Sequence, residues 1–248
     1  MWDDARQLNT VAAGLALIAT CALAWGALAW LLRQPVLEFR EVVVTGGLVR
    51  ASPAHLERVI RDELAGTFFT MNLDRARNAL AQVPWVRRVA LRRQWPRRLE
   101  VTLEEHVPLA RWNDSGLVDV DGEVFGADFD GELPQFTGPE ARAADVTARY
   151  REWGALLARL SFSVDAVTLS PRGGWRLNTT GPVGRLEIEL GRDEPSERLA
   201  RFVDAYARTV GALSRAGTRI DHVDLRYRNG FAARVPDFRE RPAKKSAA

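Results

Sequence analysis

Near the C-terminal end of the 248-residue chain stand Asp221, His222 and Asp224. Two carboxylates and an imidazole are the parts of a proton relay that would activate a serine nucleophile. Their setting, Ile220 to Tyr227, reads as a strand, and successive strand residues face opposite sides. His222 and Asp224 therefore share a face and Asp221 does not. No serine stands in a G-x-S-x-G elbow, so His222 reads as a strand-surface histidine. A second acidic group runs from Asp119 and Asp121 through Glu123, Asp128, Asp130 and Glu132. A calcium loop begun at Asp119 would need glycine and glutamate where Val124 and Asp130 stand, so this is a solvated turn. Cys21 is the sole cysteine, which removes a disulfide framework and a thiolate zinc site. His55, His106 and His222 lie far apart, and no pair has metal-ligand spacing. The chain also lacks a phosphate-cradling glycine loop. Neither a catalytic centre nor a cofactor is expected.

Six arginines, Arg87, Arg88, Arg92, Arg93, Arg97 and Arg98, form the other charged constellation. One reading is a candidate anionic-surface patch for lipid headgroups or an acidic partner. The other is the solvated face of a hairpin with Glu100 and Glu104 as cross-strand partners. The whole chain has 35 basic and 32 acidic residues, a net charge of +3, which is too balanced for a dedicated nucleic-acid binder. Lysine occurs only at Lys244 and Lys245. With 46% hydrophobic and 27% charged residues, the composition is globular.

The elements that must position these residues begin with a charge-free run from Val11 to Leu32. As a helix it reaches roughly 33 Å, enough to cross a bilayer core. Trp25 and Trp30 near its end suit an interfacial belt. A cleavable signal peptide is the rival, with Ala22-Leu23-Ala24 and Ala27-Leu28-Ala29 as small-x-small sites. The length of the run and Asp3 and Asp4 ahead of it favour a retained anchor. Arg6 precedes the run and Arg33 and Arg40 follow it, so charge leaves the orientation open.

Leu37 to Thr45 reads as a strand, ended by Gly46 and Gly47. Ser52-Pro53 starts a helix with Leu56, Val59, Ile60 and Leu64 on one face, closed by Gly66. A short helix follows, capped by Asn72 or Asp74 and stopped by Pro84. Val86 to Gln94 and Arg98 to Glu105 are strands about a Trp95-Pro96-Arg97 turn, the second with strict alternation at Leu99, Val101 and Leu103. The order is strand, helix, helix, strand, strand. Beyond it, Leu117 to Phe125 reads as a hairpin about Asp121-Gly122. A helix over Val146 to Leu160 and three strands, Ser163 to Leu169, Gly174 to Asn178 and Arg185 to Leu190, come next. The spacing of Leu199, Phe202, Val203, Tyr206, Val210 and Leu213 predicts one long helix over Glu194 to Arg215. Ile220 to Tyr227 and Phe231 to Val235 close the fold, joined by a type-I′ turn at Asn229-Gly230.

An apolar span followed at once by this βααββ order resembles a POTRA domain. "FREVVVTG" at Phe39 to Gly46, "LVDVDGEVF" at Leu117 to Phe125 and "IDHVDLRYRNG" at Ile220 to Gly230, in that order and spacing, resemble the FtsQ/DivIB family of bacterial cell-division proteins. The resemblance runs from about residue 10 to 236. It implies an α+β protein: a short cytoplasmic tail at 1–10, a transmembrane helix at 11–32, a POTRA-like domain at 36–107, a mixed α/β domain with an antiparallel-rich sheet at 108–236 and a flexible tail at 237–248. It implies a single-pass inner-membrane protein at the division septum, with the N-terminus cytoplasmic and the folded part periplasmic. Such a protein is a non-enzymatic scaffold. Its partners would be FtsB and FtsL homologues, with other divisome proteins met through the span and the POTRA-like domain. Recruitment would proceed by strand addition to the last strand, linking early and late division proteins that control septal peptidoglycan synthesis. The implied contact residues are Leu225, Arg226, Tyr227, Asn229, Gly230, Phe231 and Val235, with Tyr227 as aromatic anchor. Val235 stands where related sequences carry a tryptophan. The alternatives are a POTRA-bearing transport or assembly protein and a membrane-anchored hydrolase.

Overall fold

The computed structural model describes residues 5–32, 39–63 and 67–236. Leu37, the helix end at Leu64 and Gly66, and the tail at 237–248 lie outside the described residues. The chain forms two compact units, Met1–His106 and Val107–Ala248.

In the first unit α1 spans Ala5–Leu32. Within it, Asn9–Leu32 is long and apolar enough to cross a membrane, and none of its most apolar stretch is buried against protein. After it come β1 (Glu41–Thr45), α2 (Pro53–Glu63), α3 (Leu73–Leu80), β2 (Val86–Gln94) and β3 (Arg98–Glu105). Two of these boundaries have a clear local cause. A Cβ at Gly46, whose φ is +135°, would meet the Leu103 carbonyl oxygen, so only glycine lets β1 turn away there. Asn72 caps α3, its Oδ1 accepting from the amides of Asp74 and Arg75. The sheet order is β1-β3-β2, with β1 parallel and β2 antiparallel to β3. Leu99, Val101 and Leu103 of β3 are buried with Leu56, Ala76 and Leu80 of the helices. Fully burying each of the leucines and the valine contributes about 1.5–3 kcal/mol.

The second unit is a nine-stranded sheet with helices. Its elements are β4 (Pro108–Trp112), β5 (Gly116–Asp119), β6 (Val124–Phe125), β7 (Gln135–Thr137), α4 (Ala143–Ala158), β8 (Ser163–Leu169), β9 (Trp175–Gly181), β10 (Gly184–Gly191), α5 (Pro195–Tyr206), α6 (Val210–Arg215), β11 (His222–Asp224) and β12 (Ala232–Arg234). The order is β12-β11-β10-β9-β8-β7-β4-β5-β6, and the pairing is mixed and mostly antiparallel. Alternate residues of β8, β9 and β10 point into a core that also receives Trp153 and Leu157 of α4 and Leu199, Phe202 and Tyr206 of α5. The Ser196 hydroxyl accepts from Trp153 Nε1 at 2.9 Å and an Arg149 guanidinium nitrogen at 2.8 Å, fastening α4 to the start of α5.

Two expectations fail here. The long helix over Glu194 to Arg215 is two helices. Thr209 Oγ1 donates to the Ala205 carbonyl, and Thr209 leaves helical geometry between α5 and α6. Apolar spacing runs across the break because Val210 still reaches the core. The closing pair is not a tight hairpin either. Asp224 pairs with Ala232, so seven residues, 225–231, connect β11 to β12. Neither Asn229 nor Gly230 adopts the positive φ that a type-I′ turn requires.

Candidate functional site

The feature that stands out chemically is the corner where the second sheet ends. β11 lies parallel to β10, and β12 pairs antiparallel with β11. Among the described residues no strand lies beyond β12, and Ala232, Ala233 and Arg234 are all exposed. Half of an edge strand's amides and carbonyls point away from its neighbour, and these are the groups a further strand would use.

Three anchors hold this edge. Leu225 is only 2% exposed, and its amide donates to the Glu189 carbonyl at 2.8 Å, extending the ladder past β11. Phe231 sets its ring edge-on to buried Phe202, with centroids 5.4 Å apart. Val235 packs against the same core. Residues 226–230 are left as an exposed loop between fixed points, with Tyr227 58% exposed at its start. Between this loop and α5 lies a groove of about 540 Å³, lined by Phe202, Leu225 and Phe231 at its floor and by Arg198, Arg201 and Arg228 at its rim.

Two cations of the corner, Arg226 and Arg234, are clamped. Arg226 Nε and a terminal nitrogen donate to both oxygens of Asp224, at 2.9 and 2.8 Å, and its other terminal nitrogen lies 3.2 Å from Glu189. The hydrogen bond from Arg226 holds the Asp224 carboxyl below the usual carboxylate range, and Asp224 in turn raises the guanidinium. Arg234 Nε donates to Asp221 at 2.8 Å, which lowers that carboxyl in the same way. His222 Nδ1 is 3.8 Å from Glu187. The hydrogen bonds and ion pairs of Asp221, His222 and Asp224 thus each go to a different neighbour, Arg234, Glu187 and Arg226, and the relay they resemble in sequence is not assembled.

The structure brings Leu225, Arg226, Tyr227, Asn229, Gly230, Phe231 and Val235 to this one corner. It divides the six arginines of the first unit. Arg87 and Arg88 meet Glu104, at 3.2 and 3.7 Å. Arg98 pairs with Glu41 at 2.8 Å, and Arg93 donates to the Met71 carbonyl. Arg87 and Arg93 lie on the more buried side of β2, and Arg88 and Arg92 on the exposed side. Sequence reasoning missed Arg198 and Arg201 at the groove. Their position on α5 beside the apolar Leu199 and Phe202 was the available signal.

An N-terminal apolar helix, a βααββ unit and an antiparallel-rich terminal sheet together define a POTRA-bearing protein. Comparison with known proteins narrows this. The FtsQ-type POTRA family matches residues 37–106, and the C-terminal region of cell division protein FtsQ/DivIB matches residues 110–226. The chain is 39% identical over 246 residues to the cell division protein FtsQ of Burkholderia pseudomallei, covering 96% of each chain. It is 36% identical to that of Nitrosospira multiformis, covering 94% of this chain and 99% of the relative. The Escherichia coli protein is 34% identical over 84% of this chain and 76% of its own length. The chain belongs to the FtsQ/DivIB family of cell division proteins.

Proposed function

We propose that the chain is a non-catalytic scaffold of the inner membrane at the division septum. It is held there by α1, with its folded part in the periplasm, and it recruits the FtsB–FtsL pair by strand addition to β12. The observation that carries this reading is the outer edge of β12, which no strand among the described residues pairs, presented by a corner that Leu225 and Phe231 fix into the core. A partner strand laid along Ala232 to Arg234 gains backbone hydrogen bonds, and side chains beside it supply specificity. Tyr227 is the aromatic anchor, since exposed tyrosines beside a binding edge are frequent hot spots. Arg226 contributes shape more than free charge, because Asp224 and Glu189 already neutralise it.

Capture of the full-length chain by the periplasmic part of an FtsB–FtsL pair tests the reading. Tyr227→Ala should reduce capture while the near-UV circular dichroism stays that of the parent. Undiminished capture would remove Tyr227 from the site. Absence of capture by the folded parent chain would refute the recruitment itself.

A further inference from the structure

The first unit carries a surface that strand addition at β12 leaves unused. The Thr67 hydroxyl donates to the carbonyl of Leu32, the last residue of α1, at 2.8 Å. Beside Thr67 the Phe68 ring touches both Phe69 and Phe39, with centroids 5.2 and 5.8 Å apart. Phe39 precedes β1 by two residues, and the Arg40 amide donates to the Arg97 carbonyl in the β2–β3 turn. Glu41 is in register with Arg98, so β1 starts at the end of the sheet where β2 turns into β3. These contacts gather four parts at the C-terminal end of α1: the start of β1, the 67–71 turn, the end of β2 and the Trp95-Pro96-Arg97 tip.

The composition of that end is unlike the rest of the unit. Phe69 is 55% exposed and Trp95 is 82% exposed. Around them, among the described residues of the three strands, the start of β1 and the β2–β3 turn, stand Arg40, Arg92, Arg93, Arg97 and Arg98 with Glu41, which pairs with Arg98 at 2.8 Å, and Glu100. At the opposite end of the sheet the charges are internally matched. Arg87 and Arg88 meet Glu104, and the Glu105 carboxylate accepts the amides of Val49, Arg50 and Ala51. Arg88 and Gln94 are six residue steps apart along β2, roughly 20 Å at strand rise. Interfacial side chains insert about 5–10 Å, so only one end of this sheet can reach a bilayer that begins at the end of α1.

We infer that the α1-side end of the first unit is a lipid-docking face: Trp95 and Phe69 enter the interface beside the span, and Arg92 and Arg97 contact anionic headgroups. The inference rests on α1 crossing the membrane. Aromatic rings favour this depth because one side is apolar and the other wet. The occupant is the bilayer surface because Leu32, the last residue of the span, is itself bonded to the face. The face takes in Arg92, Arg93, Arg97 and Arg98 of the arginine constellation and excludes Arg87 and Arg88.

The test uses the full chain with Cys21→Ser and a single cysteine at Trp95→Cys, Phe69→Cys or Val49→Cys, each carrying an environment-sensitive fluorophore. Val49 is 81% exposed but lies at the opposite end of the sheet, so it is the internal control. Each protein is reconstituted in phosphatidylcholine vesicles, with and without phosphatidylglycerol, containing a headgroup-linked quencher. Retention in the vesicles after alkaline washing reports on α1 separately. With the chain retained, labels at 95 and 69 should be quenched several-fold more than the label at 49. Arg92→Gln and Arg97→Gln should each lower the docked-to-undocked ratio at 95 about fivefold in phosphatidylglycerol vesicles. Equal quenching at all three positions, no response to phosphatidylglycerol, or shielding of position 95 only when other division proteins are added would overturn the assignment. Loss of the chain on washing would instead refute the span on which the inference rests.

Discussion

At one end of the three-stranded sheet stand five arginines, Trp95 and Phe69, with Arg98 paired to Glu41. At the β11–β12 corner Arg226 faces Asp224 and Glu189, and Arg234 faces Asp221. The first surface offers excess positive charge and aromatic rings, attractions with little directional demand. The second pairs Arg226 and Arg234 with carboxylates of its own and offers directional backbone groups beside them. Arginine content therefore does not mark a binding surface by itself; what the guanidinium already bonds to decides whether it attracts a partner or shapes an edge.

The contrast breaks most severely if the corner loses its footing. Leu225→Ala should destabilise the second unit by about 2–5 kcal/mol, because the side chain is buried and leaves a cavity. Partner capture should fall with it, while the first unit's unfolding transition in guanidinium is unchanged. Tyr227→Ala sharpens the contrast: truncating an exposed hot-spot anchor should weaken capture by about 2 kcal/mol, some thirtyfold, with little change in stability. Vesicle quenching at Trp95 should not respond to that substitution. Salt gives a smaller separation. Raising ionic strength from about 0.1 M to about 1 M shortens the Debye length from roughly 10 to 3 Å. Quenching at Trp95 should weaken, whereas capture at β12 should change little.

Smallest is the pH response of the corner. Asp221 and Asp224 have carboxyls lowered by their arginine partners. The stability they contribute is present above the unfolded carboxylate value, near 4, and is lost as pH falls through the lower folded values. Denaturant midpoints measured between about pH 3 and 6 should decline less steeply with acid in Asp224→Asn than in the parent. An unchanged slope would mean that the Arg226 pairing does not persist in solution.

Much of this architecture is legible from local patterns. The alternation of Leu99, Val101 and Leu103 and the cap at Asn72 are local facts, and the structure keeps them. β7 is not legible, because its three residues bury only Phe136 and display no period. β4 is similarly hidden, with two buried residues in five. The Asn229-Gly230 signal misleads because burial of Leu225 and Phe231 outweighs the local turn preference and sets a longer connection. The break at Thr209 is hidden because the same apolar face continues through Val210. The contact residues at the corner came from a family likeness. Their convergence on one edge, and the distribution of the arginines between the two ends of the first sheet, required the register of the two sheets.

Amide hydrogen exchange of the full-length chain with and without the FtsB–FtsL pair reads strand addition at β12 at its own backbone. Strand addition predicts slowed exchange within 231–236, the β12 edge, and little change along β6 at the other end of the sheet. Protection confined to β6, α4 or the first unit, with 231–236 exchanging as fast as in the free chain, would contradict it.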